Sequence, residues 1–469
     1  MSVDVCYVIA QGFAARTVLH TGAVPALRER GHTVSVLVPH GAGGSLADTA
    51  ARLGVTVHEA PPLGGRHEYF SDLLRRYLTE DVRSNPALWA RHVRILAEGV
   101  GLRKVWTARV GIVANRLLRP WVTARPLVRA LEAAALRSPD AETALRRIDP
   151  RVLVSTYPVE PLEGCMLVAA RRLGIATVGQ LLSWDNITSK GRFPVSPDRY
   201  LSWGPIMTEE VREYYRVTGA RVRDCGVAHF DAHVRSVSPE RIAANLTALG
   251  LDPGKPYLLI GMSSPFFCPN EIDIVEWLAA RVAEGRFGPD IQLVVRPHPL
   301  NVTGYLADKA WLPRLDRLKS ARVGIDYPTL KEGALVWNMD ESDLPHLANL
   351  LAGCAVSLNS GSTFTIDAVI HDKPVIMTAF DADLELPWWQ SARRVVDYTH
   401  LAKLLGLGGV RVASSFADLE RALDSYLADA HQDAEGRARI RERECGPCDG
   451  RAAERQAQAL SDVVTGAWR

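Results

Sequence analysis

Two α/β domains, each a doubly wound parallel sheet, are what the sequence predicts, on three observations. Apolar runs of strand length alternate with amphipathic stretches of helix length, the rhythm of a parallel sheet covered on both faces. That rhythm pauses near residues 232–254 and resets at "PYLLIGMSS". The chain of 469 residues also exceeds the usual size of a single domain, so two cores are the default.

The elements follow in order. "VDVCYVIA" is an apolar strand, "QGFAART" reads as a loop, "HTGAVPALRERG" as an amphipathic helix and "HTVSVLVP" as the next strand. "ARLG" and "VTVHEAP" repeat the alternation, which returns at "RVLVSTYP", "ATVGQLLSW", "RYLSWG" and "RVRDCGV". In the second half, "PYLLIGMSS" is followed by a helix from Glu271 to Val282, then by strands in "IQLVVRP", "VGIDYP", "CAVSLNS" and "PVIMTAF". This places an N-terminal domain at 1–232, a linker at 233–254, a C-terminal domain at 255–430 and a helical tail at 431–469. Residues 66–147 break the rhythm as a largely helical, Arg-rich insertion. The insertion holds 16 Arg/Lys against 8 Asp/Glu, a local excess of +8. It reads either as a basic amphipathic element that meets a membrane surface or a large anionic acceptor, or as a helical elaboration with a solvated Arg face.

Composition excludes several function classes. A charged fraction of 23%, a hydrophobic fraction of 47% and a net charge of +2 suit a globular enzyme and give no global pull towards nucleic acid. The start "MSVDVCYVIAQGF" has an acid where a secretory signal needs a base, and no run of about 18 apolar residues exists to span a membrane. Seven scattered cysteines fit a reduced cytoplasm better than a disulfide framework. Cys445 and Cys448 form a lone C-x-x-C without a second half. The expected location is cytoplasmic, with membrane-peripheral contact through 66–147 as the alternative.

In open parallel sheets, ligands bind beyond the carboxyl ends of the strands, and three such loops in the second half carry suitable groups. "GMSSPFF" supplies Ser263 and Ser264. "VVRPHPLN" places Arg296 and His298 each before a proline, which holds both extended and would present a cation and an imidazole together. "SLNSGSTFTID" opens a helix, so backbone N–H groups of Gly361 to Thr363 and hydroxyls of Ser360, Ser362 and Thr363 suit phosphate; the same motif also serves as a plain helix cap. Asp367, one turn further on, has an acceptor-only carboxylate suited to a ribose diol. Asp381, Asp383 and Glu385 follow the last strand. They could bind metal, accept from sugar hydroxyls, or stand solvated, and no metal is expected because the cation and helix terminus already supply positive charge.

In the first half, "LLSWDNITSKGRFPVSPDRYLSWG" puts Asp185 and Asn186 directly after an apolar strand. Asp185 there is either a general base for an attacking hydroxyl or a turn residue satisfying backbone donors. His20, His40 and Glu160 are weaker alternatives. "GVAHFDAH" has two histidines and an aspartate but leads into the linker, which favours hinge packing over metal binding.

With "GVAHFD", "PYLLIGMSSPFF" and "LNSGSTFTIDAVIHDKPVI", these motifs carry a resemblance. Over most of residues 145–380 and the opening "GHTVSVLVP", the chain resembles GT-B glycosyltransferases, and more closely the bacterial branch of CDP-glycerol glycerophosphotransferase-like and surface-polysaccharide transferases. The insertion has no counterpart. The resemblance implies two Rossmann-like domains facing a central cleft. The C-terminal one would hold a nucleotide-diphosphate sugar, with Ser263, Ser264, Arg296, His298 and Ser360 to Thr363 as diphosphate grips. Asp381 and Asp383 would touch the donor sugar. The acid of the following helix is usually Glu in such enzymes, and Asp367 stands there in this chain. Gly12, Asn186 and Thr188 fall on the acceptor side, towards a glycan, lipid-linked or small-molecule acceptor. No cofactor or metal is implied.

The expected function is glycosyl transfer to an acceptor hydroxyl in cell-surface glycan or natural-product biosynthesis. Asp185 would act as base, and Arg296 and His298 would neutralise the departing diphosphate. Three alternatives share the pattern: a non-hydrolysing nucleotide-sugar epimerase, a CDP-glycerol-type transferase, and a nucleotide-sugar-binding scaffold.

Overall fold

The computed structural model describes residues 3–99, 101–118, 125–303 and 311–468. The chain forms two compact units, Met1–Asp231 with Lys331–Asn338 and Arg451–Arg469, and Ala232–Leu330 with Met339–Gly450.

In the first unit seven strands pair in parallel: β1 (Val3–Val8), β2 (Val34–Val38), β3 (Thr56–Glu59), β4 (Pro150–Ser155), β5 (Ala176–Gln180), β6 (Arg199–Ser202) and β7 (Val222–Asp224). Their order is β3-β2-β1-β4-β5-β6-β7. Side chains alternate across a strand, so Val5 and Tyr7 join one buried cluster while Cys6 and Val8 join another on the opposite face. Both faces are therefore covered, which is why these strands read as continuous apolar runs. Ala457, Leu460 and Val463 of the helix Ala452–Thr465 complete the first cluster.

The second unit has six parallel strands: β8 (Tyr257–Gly261), β9 (Gln292–Arg296), β10 (Val323–Ile325), β11 (Val356–Asn359), β12 (Val375–Thr378) and β13 (Arg411–Ala413). The order is β10-β9-β8-β11-β12-β13. Both sheets start at a central strand, grow to one side for two strands and then reverse. That leaves a switch point between β1 and β4 in one unit and between β8 and β11 in the other, where such sheets place ligands.

The insertion is helical over Gly65–Thr79, Pro86–Glu98, Leu102–Leu118, Arg125–Ala135 and Pro139–Ile148. Asn85 starts the second of these by accepting the Ala87 and Leu88 N–H groups through Oδ1, the role that favours Asn at an N-cap. Leu73, Tyr77, Val82, Leu88 and Ala108 give the insertion a small core of its own.

Four expectations change. "QGFAART", read as a loop, is the start of the helix Gly12–Leu19; its Ala and Arg residues are good helix formers. Residues 233–254, expected as a linker, include the helix Pro239–Ala248, tied to the helix Asp343–Gly353 by the Ser238 N–H donating to Asn349 Oδ1. The expected tail 431–469 is divided between the units at residue 451. The sequence reading has no strand at β13, a short edge strand of Arg411–Ala413 with only one strand beside it.

Candidate functional site

At the switch point of the second unit, one buried carboxylate joins the loops after β8 and β11. Glu271, the first residue of the helix Glu271–Ala283, accepts the Ser263 N–H at 2.6 Å and the Ser360 hydroxyl. Burial pushes its carboxyl up to about 7. Ser360 Oγ also lies 3.0 Å from Thr378 Oγ1, at the end of β12. In the sequence Glu271 reads only as a helix start. Nothing local reveals that it is buried, although an acid in the first turn after two strand-end serines is a pairing worth testing.

The β11 loop is organised by Asn359. Its Oδ1 accepts the N–H groups of Gly361 and Ser362 at 2.8 and 3.1 Å and the Thr365 hydroxyl at 2.9 Å. The expected phosphate donors Gly361 and Ser362 are thus turned inward to a side-chain cap. Gly361 has φ +86, and a Cβ there would sit 2.9 Å from Met377 Sδ, so this glycine serves packing. Ser362 Oγ accepts the Phe364 N–H at 3.2 Å. Thr363 is half-buried at the mouth of the same loop. Ser264 is buried, and its Oγ accepts the Phe266 N–H at 3.2 Å.

Arg296 is not presented as an open cation. Its guanidinium donates to Asp326 and Asp343, and Asp326 also meets His346 Nε2 at 2.8 Å. Burial opposes the charge on Arg296, but the two carboxylates outweigh it and hold the guanidinium charged. Burial would likewise raise Asp326, yet the Arg296 charge pulls it below the ordinary carboxylate range. Two buried acids compensate this one cation, where the sequence reading expects Arg296 to face a diphosphate. A cavity of about 440 Å³ opens beside this cluster, lined by Asn245, Asp326, Tyr327, Asp343 and His346 among others.

His298 keeps its open role. Its Nδ1 accepts the Leu300 N–H at 3.1 Å, which fixes the neutral ring with the proton on Nε2. Burial lowers its pKa to about 4. It offers a neutral N–H donor next to β8, not a charge.

Asp367 and Asp381 are also redirected. Asp367 is buried and lies 3.4 Å from His233 Nε2, while His233 Nδ1 is 2.9 Å from His371 Nε2. Burial drives His371 down to about 3. Asp367, expected at a ribose, thus closes an internal His371–His233–Asp367 chain. Asp381 Oδ1 accepts the Ala392 N–H at 2.8 Å, and Oδ2 accepts the Ser391 hydroxyl, so it pins the following loop instead of facing a sugar. Asp383 and Glu385 are exposed on that loop. Among the described residues no three His, Cys, Asp or Glu side chains converge as a metal-ligand set.

In the first unit, Asp185 sits in a turn after β5. Its carbonyl accepts the Thr188 and Ser189 N–H groups. Its Oδ2 accepts the Ser189 hydroxyl at 2.7 Å and lies 3.1 Å from Lys190 Nζ. Burial acts to lower the Lys190 pKa, and Asp185 more than reverses it. In this arrangement Asp185 has the geometry of the turn reading, with its carboxylate paired to an ammonium. Asn186 is buried with Oδ1 accepting the Ser183 N–H at 3.1 Å. Thr188 is buried, and its carbonyl accepts from Asn85 Nδ2 at 2.6 Å. Gly12 donates its N–H to the Val336 carbonyl at 2.7 Å, and a Cβ there would lie 2.3 Å from the Trp337 backbone. These three expected acceptor-side residues build the fold.

The group that stands out instead is Glu160, at the switch point beyond β4. Its Oε2 accepts the Leu162 and Glu163 N–H groups at 2.7 and 3.1 Å, capping the helix Pro161–Leu173. Burial, reinforced by the charge of Glu163, pushes its carboxyl up to about 8. Fully buried Glu163 accepts from Ser155 Oγ at 2.6 Å, the Tyr157 N–H at 2.7 Å and Thr156 Oγ1 at 3.0 Å. Burial lifts it to about 7. Glu163 is enclosed by these three donors, so of the two raised carboxyls Glu160 is the one with an oxygen outside the internal network.

Compared by sequence, the chain matches no protein-family model and no curated protein. Compared by structure, it is similar over its length to known enzymes. The UDP-GlcNAc 2-epimerase from Methanocaldococcus jannaschii, in complex with UDP-GlcNAc and UDP, superposes with a TM-score of 0.55 at 12% identity, covering 98% of this chain and 99% of the other. That from Neisseria meningitidis, bound to UDP-GlcNAc, gives 0.54 at 11% identity over 98% and 100%. A glycosyltransferase from Rickettsia africae gives 0.50 at 10% identity over 98% of each chain. The fold is of the GT-B type. At these identities the likeness carries the fold alone. The described residues include no helix long and apolar enough to cross a membrane.

Proposed function

We propose that this protein is a nucleotide-sugar-dependent glycosyltransferase. The observation that carries the reading is the switch point of the second unit, where the β8 and β11 loops meet on Glu271 and the segment after His298 is tied to the β8 loop by Asn301 Nδ2 donating to the Ser263 carbonyl at 3.3 Å. In this reading the second unit takes the nucleotide diphosphate through His298 and the hydroxyls of Ser264 and Thr363. Preformed donors aimed at a leaving group that gains charge lower the barrier to its departure.

The first unit supplies the base. Glu160 has one oxygen occupied by the helix cap and a carboxyl poised near pH 8, close to the working range that favours proton transfer. It takes the acceptor hydroxyl proton as the oxygen attacks the anomeric carbon and the C–O bond to the diphosphate breaks. No metal is required in this scheme. The motif resemblance supports a bacterial, cytoplasmic role in surface-glycan or natural-product biosynthesis, and the CDP-glycerol-type branch rests on those motifs alone.

A second reading, a nucleotide-sugar epimerase, is favoured by the pair Glu160 and Glu163 at one strand end and by the fold likeness to 2-epimerases that bind UDP-GlcNAc. Mass spectrometry of the purified protein with a panel of nucleotide sugars, with and without cell extract, separates the readings. Extract-dependent release of nucleotide supports transfer. A new epimer without extract supports the second reading, and neither product would leave a binding scaffold.

A further inference from the structure

The helix Leu102–Leu118 of the insertion turns an apolar stripe outward. Its inward face is fixed by Ala108, Gly111 and Asn115: a Cβ on Gly111 would lie 2.6 Å from Tyr77 Cγ, and Asn115 Nδ2 donates to the Tyr77 carbonyl at 2.8 Å. On the opposite face Leu102, Trp106, Val110, Val113 and Leu117 are 83%, 67%, 55%, 57% and 66% exposed. At 3.6 residues per turn these five fall within an arc of ~80°. Isolated exposed apolar residues need no explanation, but a continuous stripe of this kind marks an interaction site.

The borders of the stripe identify its partner. Arg109 and Arg116 flank one edge and Arg103 the other, all exposed. The sequence "LRKVWTARVGIVANRLL" contains no acidic residue. A helix with Trp and aliphatic residues on one face and basic residues at its margins matches the interfacial region of a bilayer, where the stripe enters the acyl boundary and the long cations reach lipid phosphates. A second copy of this chain fits poorly, because pairing two such faces sets Arg against Arg. A soluble polyanion would engage the arginines but leave the stripe in water. We infer that this face docks the protein peripherally on an anionic lipid surface. The inference sharpens the membrane alternative for residues 66–147 and holds whichever nucleotide-sugar reaction the protein catalyses.

Co-sedimentation of the full chain with vesicles tests it, using phosphatidylcholine alone and phosphatidylcholine mixed equally with phosphatidylglycerol. The protein should pellet with the mixed vesicles and bind the neutral ones much more weakly. Trp106→Ser with Val113→Ser should weaken binding to the mixed vesicles roughly tenfold or more, since attachment scales with buried apolar area. Arg109→Glu with Arg116→Glu should abolish the preference for anionic lipid, each cation near such a surface being worth roughly fivefold. All four positions are exposed, so circular dichroism and nucleotide binding should stay unchanged, which separates this inference from the catalytic one. Wild-type protein left in the supernatant, or variants that pellet as wild type does, would overturn it. So would a dimer in vesicle-free solution that the Trp106 and Val113 changes dissolve, or binding to dextran sulfate without binding to vesicles.

Discussion

Glu271 accepts the backbone N–H of Ser263 at 2.6 Å, and with its other oxygen it takes the Ser360 hydroxyl. One side chain therefore sets the spacing of the two loops at the switch point of the second unit. A carboxyl titrating near 7 in that position makes the loop geometry sensitive to its protonation state. Glu271→Gln keeps the shape but turns one acceptor into a donor that faces Ser263 N–H or Ser360. Donor binding should weaken about tenfold, because a buried bond is lost and a polar group is left unpaired. Isothermal titration with a nucleotide sugar measures it; unchanged affinity would mean that the two loops are held by other contacts.

The pH dependence of stability follows from the three raised carboxyls. Glu160, Glu163 and Glu271 have folded pKa values of about 8, 7 and 7 against an ordinary 4.5. The folded protein holds these protons where the unfolded chain has released them. Their contribution to stability is thus full below the ordinary value and is lost as pH rises towards 7 and 8. The denaturation midpoint in urea should fall between pH 5 and 8 by this contribution, and Glu160→Gln should flatten the upper part of the curve. An identical slope in wild type and variant would remove Glu160 from the account.

Arg296→Ala should destabilise the protein by ~3–5 kcal/mol, the cost of leaving buried charges without their partner. Asp326 and Asp343 would then face one another with no guanidinium between them. Arg296→Lys retains the charge but cannot fork to both carboxylates, so it should recover only part of the loss. Urea denaturation reads both. A variant as stable as wild type but unable to bind nucleotide would return Arg296 to the diphosphate.

The contrast between Arg296 and the strands shows how much was legible. β-branched apolar runs such as "QLVVR" declare a buried parallel strand, because the whole run must be apolar when both faces are covered. The two α/β units and the helical insertion were readable for that reason. Side-chain direction was not. Arg296 read as an open cation because its partners lie 30 and 47 residues away, beyond any local pattern. Asp367 similarly meets His233, far upstream. Glu271 reads only as a helix start and Glu160 only as a weaker alternative to Asp185, because their importance comes from burial, which sequence spacing does not report. The basic insertion and its membrane alternative are legible in the sequence, but only the structure shows which face of Leu102–Leu118 is inward and which apolar residues are left exposed.

His298 should act as a neutral donor at every working pH. Its pKa of about 4 lies below the ordinary imidazole value, so it stays uncharged from pH 5.5 upward. Nucleotide affinity should therefore show no step near pH 6.5, and His298→Ala should weaken it roughly tenfold through loss of one hydrogen bond. A step near 6.5 that vanishes in His298→Ala would mean that the bound state recruits an imidazolium.

Asp185 and Glu160 give opposite expectations, and one pair of variants decides between them. Asp185 is paired with Lys190 at 3.1 Å and with the Ser189 hydroxyl, so Asp185→Asn removes the charge that holds a largely buried ammonium. It should lower the melting temperature while cutting turnover less than about tenfold, since no proton transfer passes through it. Glu160→Gln leaves an amide oxygen to accept the Leu162 and Glu163 N–H groups, so the helix cap survives. What it removes is the titratable oxygen, and turnover should fall by ~10²–10⁴-fold with nucleotide affinity nearly unchanged. The pH profile adds a readout that a structural role would not move: wild-type turnover should rise through a pKa near 8 as Glu160 loses its proton, and that limb should disappear in Glu160→Gln. Full turnover in Glu160→Gln with collapse in Asp185→Asn would reverse the assignment and restore Asp185 as the base.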